Sequence, residues 1–198
     1  MVNFNFLSTR LKTEDKLKLH MDKPEFVQDS SSFLANKINN FDNIYHRPLI
    51  TFCIGTDRST GDSLGPLVGW FLQKKQPYNA FIYGTINNPV HATNMQETLN
   101  EIQSRFDNPI IIAVDACLGK LESVGYVSIT EGSIQPGAAV KKNLPAVGDL
   151  SISGIVNVGG FMEYMVLQNT RLSFVMQMAD KISEVLADVY SSNIVCAK

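Results

Sequence analysis

The sequence predicts an α/β fold: a three-layer α/β/α sandwich with a mainly parallel sheet. Three observations carry that expectation. Leu49-Ile50-Thr51-Phe52-Cys53-Ile54 is a β-rich apolar run stopped by Gly55, the pattern of a strand buried on both faces. Ile110-Ile111-Ile112-Ala113-Val114 is a second such run, bounded by Pro109 and Asp115. Between and after them lie segments of helical period, so strands alternate with helices.

Residues 1–46 read as an N-terminal extension packed on or trailing from a single domain at 47–198. Within the extension, Asp29-Ser30-Ser31-Ser32 precedes Phe33, Leu34, Ile38 and Phe41, a spacing that predicts one short helix with a Ser or Asp N-cap. The first strand of the domain covers 48–54. Residues 65–75 follow as a helix with Leu67, Val68, Phe71 and Leu72 on one face. Residues 80–83 form a short strand, 93–105 a helix, and 109–114 the clearest strand. Residues 125–130 alternate and suit an antiparallel or edge partner. The loop at Gln135-Pro136-Gly137 leads to a helix expected at 153–167, then a strand at 172–176. A final helix spans 180–190 with Ile182, Val185, Leu186 and Val189 inward.

Composition excludes several classes of function. Of 198 residues, 17 are Lys or Arg and 19 Asp or Glu, giving a formal net charge of −2. A pI of about 5.9 offers no strong field for a phosphate backbone, so nucleic-acid binding is not expected. Apolar residues at 44% and charged residues at 18% suit a packed core rather than disorder. No apolar run approaches the ~20 residues of a bilayer crossing, and no secretory signal is visible at the start. Cys53, Cys117 and Cys196 make an odd number without metal-type spacing, as in a reducing compartment, and a cytoplasmic location is expected.

In open α/β sheets, sites form at the carboxyl ends of strands where strand order reverses. Asp115 closes one apolar strand, and Asp62 lies in the loop between the first strand and its helix. With strand order 2-1-3 the two face one crevice. Close carboxylates cannot both ionise cheaply, so such a pair holds one proton between them. One member can then activate water while the other donates a proton. The same oxygens could ligate a metal, and an Asp at a helix start is commonly an N-cap. The glycine-rich loop at 55–65 matches neither the P-loop nor the dinucleotide pattern, so no nucleotide site is expected.

Phe52-Cys53-Ile54-Gly55 with Asp62-Ser63-Leu64-Gly65-Pro66, followed by Ile112-Ala113-Val114-Asp115-Ala116, resembles the spore germination protease and its relatives, among them the YyaC-type sporulation proteins. Supporting stretches are Ile134-Gln135-Pro136-Gly137-Ala138 and Pro89-Val90-His91-Ala92-Thr93-Asn94-Met95. The resemblance implies a phosphorylase/hydrolase-like α/β/α fold and a peptidase resting on Asp62 and Asp115. It also implies a protein or peptide substrate in sporulation or germination, small acid-soluble spore proteins being the family's example. A more distant resemblance is to the hydrogenase-maturation endopeptidases, which bind a divalent metal through two acids and a later His. Asp62 and Asp115 match the acids, but no His follows Asp115. A metal at Asp62 and Asp115 is therefore not favoured, and no cofactor is expected.

Two further residues are candidates for contacting substrate. His91 follows the second strand of the domain, bordering the crevice, though an exposed loop His without a role is the ordinary case. Asp149 is a candidate third acid, with capping of a helix near Ser153 as its ordinary role. A thiol mechanism at Cys117 would need a basic partner such as His91. Phe161, Met162 and Met165 are expected in the core. The leading expectation is an aspartate-dependent peptidase; the alternative is a non-catalytic sporulation protein binding a partner or peptide on the same fold.

Overall fold

The computed structural model describes residues 15–136 and 145–192. One six-stranded sheet runs through the molecule: β1 (Lys16–His20), β2 (Leu49–Cys53), β3 (Phe81–Tyr83), β4 (Ile110–Gly119), β5 (Tyr126–Glu131) and β6 (Leu150–Val158). Their order is β1-β5-β6-β4-β2-β3. β6, β4, β2 and β3 are parallel, while β5 pairs antiparallel with both β6 and β1. The helices are α1 (Phe26–Asn39), α2 (Leu64–Lys75), α3 (Met95–Arg105), α4 (Glu163–Gln168) and α5 (Leu172–Ser191).

Side-chain alternation divides the sheet into two faces. Leu150, Ile152 and Val156 of β6 join Ile110, Ile112 and Val114 of β4 and Val127 and Ile129 of β5 on one face. Against them pack the buried residues of α1, α2 and α5. α5 is the longest helix, and Val175, Met178, Ile182, Val185, Leu186 and Val189 give it a continuous apolar stripe. Each such side chain contributes roughly 1.5–3 kcal/mol on burial. On the other face α3 lays Met95, Leu99 and Ile102 over Ile50, Phe52 and Ala113. Helices on both faces of a sheet with a parallel centre make the three-layer α/β/α architecture.

Several elements differ from expectation. Residues 150–158 form a strand, not the start of a helix; the apolar Ile152, Ile155 and Val156 fit a helical spacing, but pairing with both β4 and β5 decides the matter. Residues 172–176 open α5 instead of forming a strand, because Val175 is in phase with Met178, Ala179 and Ile182. α1 begins at Phe26, so the serines lie inside it, and no side chain caps its start. β5 is the antiparallel partner expected, and β1, outside it, takes the edge. Within the N-terminal stretch, residues 16–20 supply that edge strand and Phe26, Leu34 and Ile38 enter the main core. Gly137, Ala138 and Cys196, singled out above, lie outside the described residues.

Candidate active site

The sheet's switch point is the carboxyl end of β2. From β2 the chain passes through α2 to β3 on one side, then through α3 back across to β4 on the other. The two connections leave opposite faces of the sheet, which opens a crevice above the end of β2. The expected local strand order is the observed one.

Asp62 reaches this crevice on a tight turn, Gly61–Ser63, that packs against β4. Gly55 and Gly65 make the approach possible. A Cβ at Gly55 (φ +146) would collide with the carbonyl oxygen of Asp62, and one at Gly65 with that of Ile54. Only glycine lets the loop lie so tightly on the strand end. The Asp62 carboxylate caps neither its own turn nor α2, whose N-cap residue is Ser63. Capping, the ordinary role of an Asp in this position, is therefore absent.

Asp115 comes from β4, which does not end there. β2 stops at Cys53 opposite Val114, but β6 continues alongside and pairs Ser153 with Asp115. Asp115 is thus the first β4 residue to rise past β2, held by a neighbour on only one side. Its Oδ1 accepts a bond from the Ala116 N–H at 2.9 Å. Burial and the negative charge of Asp62 push its carboxyl up to about 8, against the lesser opposing effect of that backbone bond. Asp62 is also pushed up, by burial. Among the described residues no lysine or arginine forms an ion pair with either carboxylate. With burial and the charge of Asp62 opposing its ionisation and, among the described residues, no cation in ion-pair contact, the Asp115 carboxyl keeps its proton near neutrality.

Asp149 is not brought to this pair, while His91 follows Val90, which bridges to Ile54 at the end of β2. Asp149 precedes β6 at the opposite end of the sheet. Its Oδ2 accepts from the Ile111 N–H at 2.8 Å, and its own N–H donates to the Ile111 carbonyl at 2.8 Å. Four strand steps separate Ile111 from Asp115, about 13 Å at ~3.3 Å each. Asp149 is therefore a structural clamp where β4 and β6 begin, at the other end of β4 from Asp115, and the helix it was to cap is absent. His91 lines a cavity of about 570 Å³ beside β3 and α3, with Asn88, Asn94 and Glu101. Its Nδ1 lies 2.9 Å from Thr93 Oγ1, and its N–H donates to Asn94 Oδ1. Neither aspartate lines that cavity.

Cys117 projects from the same face as Asp115, and burial together with the Asp115 charge pushes its thiol up to about 11. A protonated thiol beside a carboxylate is a poor nucleophile. Phe161 and Met162, expected in the core, are 83% and 53% exposed, because the chain leaves β6 at Val158 and turns through Gly159 and Gly160 above the sheet. With Met165 they line an apolar hollow of about 550 Å³ on α4, the helix against which the Asp62 turn also packs.

Whether the pair could hold a divalent metal turns on the donor set around it. Among the described residues no group of three or more His, Cys, Asp or Glu side chains is gathered. Two carboxylates leave most positions of a divalent cation without a protein ligand, so the residues described do not fit a built metal centre. One neighbour was missed from sequence: Ser153, placed beside Asp115 by β6. Alternation of Leu150, Ile152 and Gly154 with Ser151 and Ser153 was the available signal.

Fold and site together define an α/β/α protein with a two-carboxylate crevice at the switch point of its sheet. The chain belongs to the family described as "Protein of unknown function (DUF1256)", whose pattern matches residues 18–185. It is 57% identical over 141 residues to the uncharacterized protein YyaC of Bacillus subtilis (strain 168), covering 71% of this chain and 69% of that protein. In structure it is similar to the [NiFe] hydrogenase maturation protease HycI from Thermococcus kodakarensis KOD1. The TM-score is 0.55 at 16% identity, over 80% of this chain and 99% of the other. That likeness shows the fold and no more.

Proposed function

We propose that the protein is an aspartate-dependent peptidase acting on a protein or peptide substrate. The observation that carries this reading is the Asp62–Asp115 pair, half-buried at the switch point and, among the described residues, without an ion-paired cation, with Asp115 pushed up to about 8. Asp115, the group held protonated to higher pH, donates to the carbonyl oxygen of the scissile amide. Asp62, the ionised member, takes a proton from water as its oxygen attacks the carbonyl carbon. The tetrahedral diol then breaks its C–N bond, with the proton on Asp62 passing to the amine nitrogen. Asp115 regains its proton from the diol as the carbonyl re-forms. The fold shared with a maturation protease is compatible with this chemistry. A setting in sporulation or germination, with small acid-soluble spore proteins as substrates, belongs to the same proposal and rests on the sequence resemblance.

The test is digestion of a spore-protein extract by purified protein, with fragments identified by mass spectrometry. Defined fragments are expected, reduced at least about 100-fold by Asp115→Asn. The rate should fall as pH rises through about 8, where the shared proton leaves. Cleavage that survives Asp115→Asn would refute the mechanism, and absence of fragments across pH and divalent metals would favour a binding protein on the same fold.

A further inference from the structure

The two faces of the sheet are covered unequally. α1, α2 and α5 pack on one side of the sheet. On the other side, the core beneath α3 takes no side chain from β1, β5 or β6. Among the described residues no α-helix adds a side chain to a core on that half, where the turn Leu121–Ser123 contacts β6 and Ser151 and Ile155 are buried while Ser128 and Ser153 stay half-exposed.

Strand register sets Asp115 opposite Ser153, Ser153 opposite Ser128, and Ser128 opposite Lys18. Paired residues on adjacent strands project from the same face. A row of polar side chains therefore runs from Asp115 across β6 and β5 to the sheet's edge, with Lys16 beside Lys18 on the same face. Ser128 and Ser153 are half-buried and both lysines are exposed. The charges of both lysines also reach Cys117, two residues beyond Asp115. Lys18 donates to Ser123 Oγ at 3.1 Å and lies 5.0 Å from the Tyr126 ring centroid. Among the described residues neither lysine has a carboxylate partner. Lysines on an edge strand discourage pairing with foreign sheets, but that role does not require a polar row ending at Asp115.

We propose that this row is the track along which the substrate polypeptide lies, with a substrate carboxylate held by Lys18 and Lys16. The proposal rests on the peptidase reading and names its substrate class: a chain acidic at a fixed distance from the cleaved bond. Three strand spacings of about 4.8 Å put the β1 end of the row about 14 Å from Asp115. An extended chain covers that in about four residues. Lysines at one end and aspartates at the other fix the direction of an acidic chain, since reversal sets like charges together. The serine hydroxyls between them face the peptide groups of the bound segment.

Binding tests this without relying on cleavage. Phage-displayed random decapeptides are selected on the Asp115→Asn protein, which keeps the track and removes the acid. Asp or Glu should be enriched at least threefold among the selected peptides. The Gln form of a selected peptide should bind at least threefold more weakly by fluorescence anisotropy, the modest effect expected of exposed charges. Free and amidated forms of its C-terminus then tell a terminal carboxylate from a side chain. On the same protein carrying K16E and K18E, both exposed positions, enrichment should turn to Lys and Arg while the thermal melt is unchanged. Absence of acidic enrichment, absence of any selected peptide, or selection indifferent to the charge reversal would overturn the track. Failure of the extract digestion would instead remove the peptidase reading and leave acidic-peptide binding standing.

Discussion

Replacing Asp115 by Asn should make the protein more stable at alkaline pH and leave it nearly unchanged in acid. Asp115 moves from an ordinary value of 3.8 up to about 8 on folding, through burial first and the charge of Asp62 second. The folded state therefore holds a proton that the unfolded chain releases. Below about pH 4 both states are protonated and Asp115 costs nothing. Above it, the wild type loses stability relative to the Asn variant by up to about 1.4 kcal/mol per pH unit, until the folded carboxyl also ionises near pH 8. Four units set an upper bound of about 6 kcal/mol. Solvent at the crevice mouth and the proton shared with Asp62 reduce that to an expected 2–4 kcal/mol. Urea unfolding of both proteins from pH 4 to pH 9 reads the difference directly. Curves that stay parallel over the whole range would show that Asp115 is not held protonated, and the chemistry derived from it would fall.

Three other substitutions test the frame around the pair. Gly55→Ala sets a methyl group against the carbonyl oxygen of Asp62 and 2.9 Å from Pro66 Cδ, at a φ of +146; a strong fall in yield and melting temperature is expected, and a wild-type melt would contradict the tight loop packing. Asp149→Ala strips the Ile111 N–H of its acceptor and should cost about 1–3 kcal/mol in urea unfolding. It should leave any cleavage intact, and loss of cleavage without loss of stability would return Asp149 to the site. Tyr190→Phe removes a buried hydroxyl lying 2.9 Å from Thr51 Oγ1 and 3.2 Å from the Leu49 carbonyl. A loss of about 1–2 kcal/mol is expected, and no measurable loss would show those bonds to be dispensable.

The centre of the fold is legible from sequence because β2 and the first half of β4 are covered on both faces and so are almost wholly apolar. Their neighbours are harder to read. β6 sets Ser151 and Ser153 on one face against Leu150 and Ile152 on the other, and its Ile152, Ile155 and Val156 also satisfy a helical spacing. The first turn of α5 alternates by accident over five residues, and its phase appears only across all twenty. Asp62 and Asp115 are legible because a charge at the end of a buried strand and an acid in the loop after another are costly unless used. The misreading of Asp149 follows from that of β6: a helix there would have needed a cap, whereas a strand needs its first backbone groups satisfied, and the Asp149 side chain does that. The Ser153–Ser128–Lys18 row escapes sequence reasoning because it exists only through register between strands up to 135 residues apart, Lys18 to Ser153.

Carboxyl-carbon NMR titration of the aspartate side chains, in wild type and Asp62→Asn, reads the shared proton directly. The account predicts one aspartate, absent from the spectrum of Asp115→Asn, titrating near pH 8 and moving to lower pH when Asp62 loses its charge. An Asp115 that titrates near pH 4 in both proteins would contradict it.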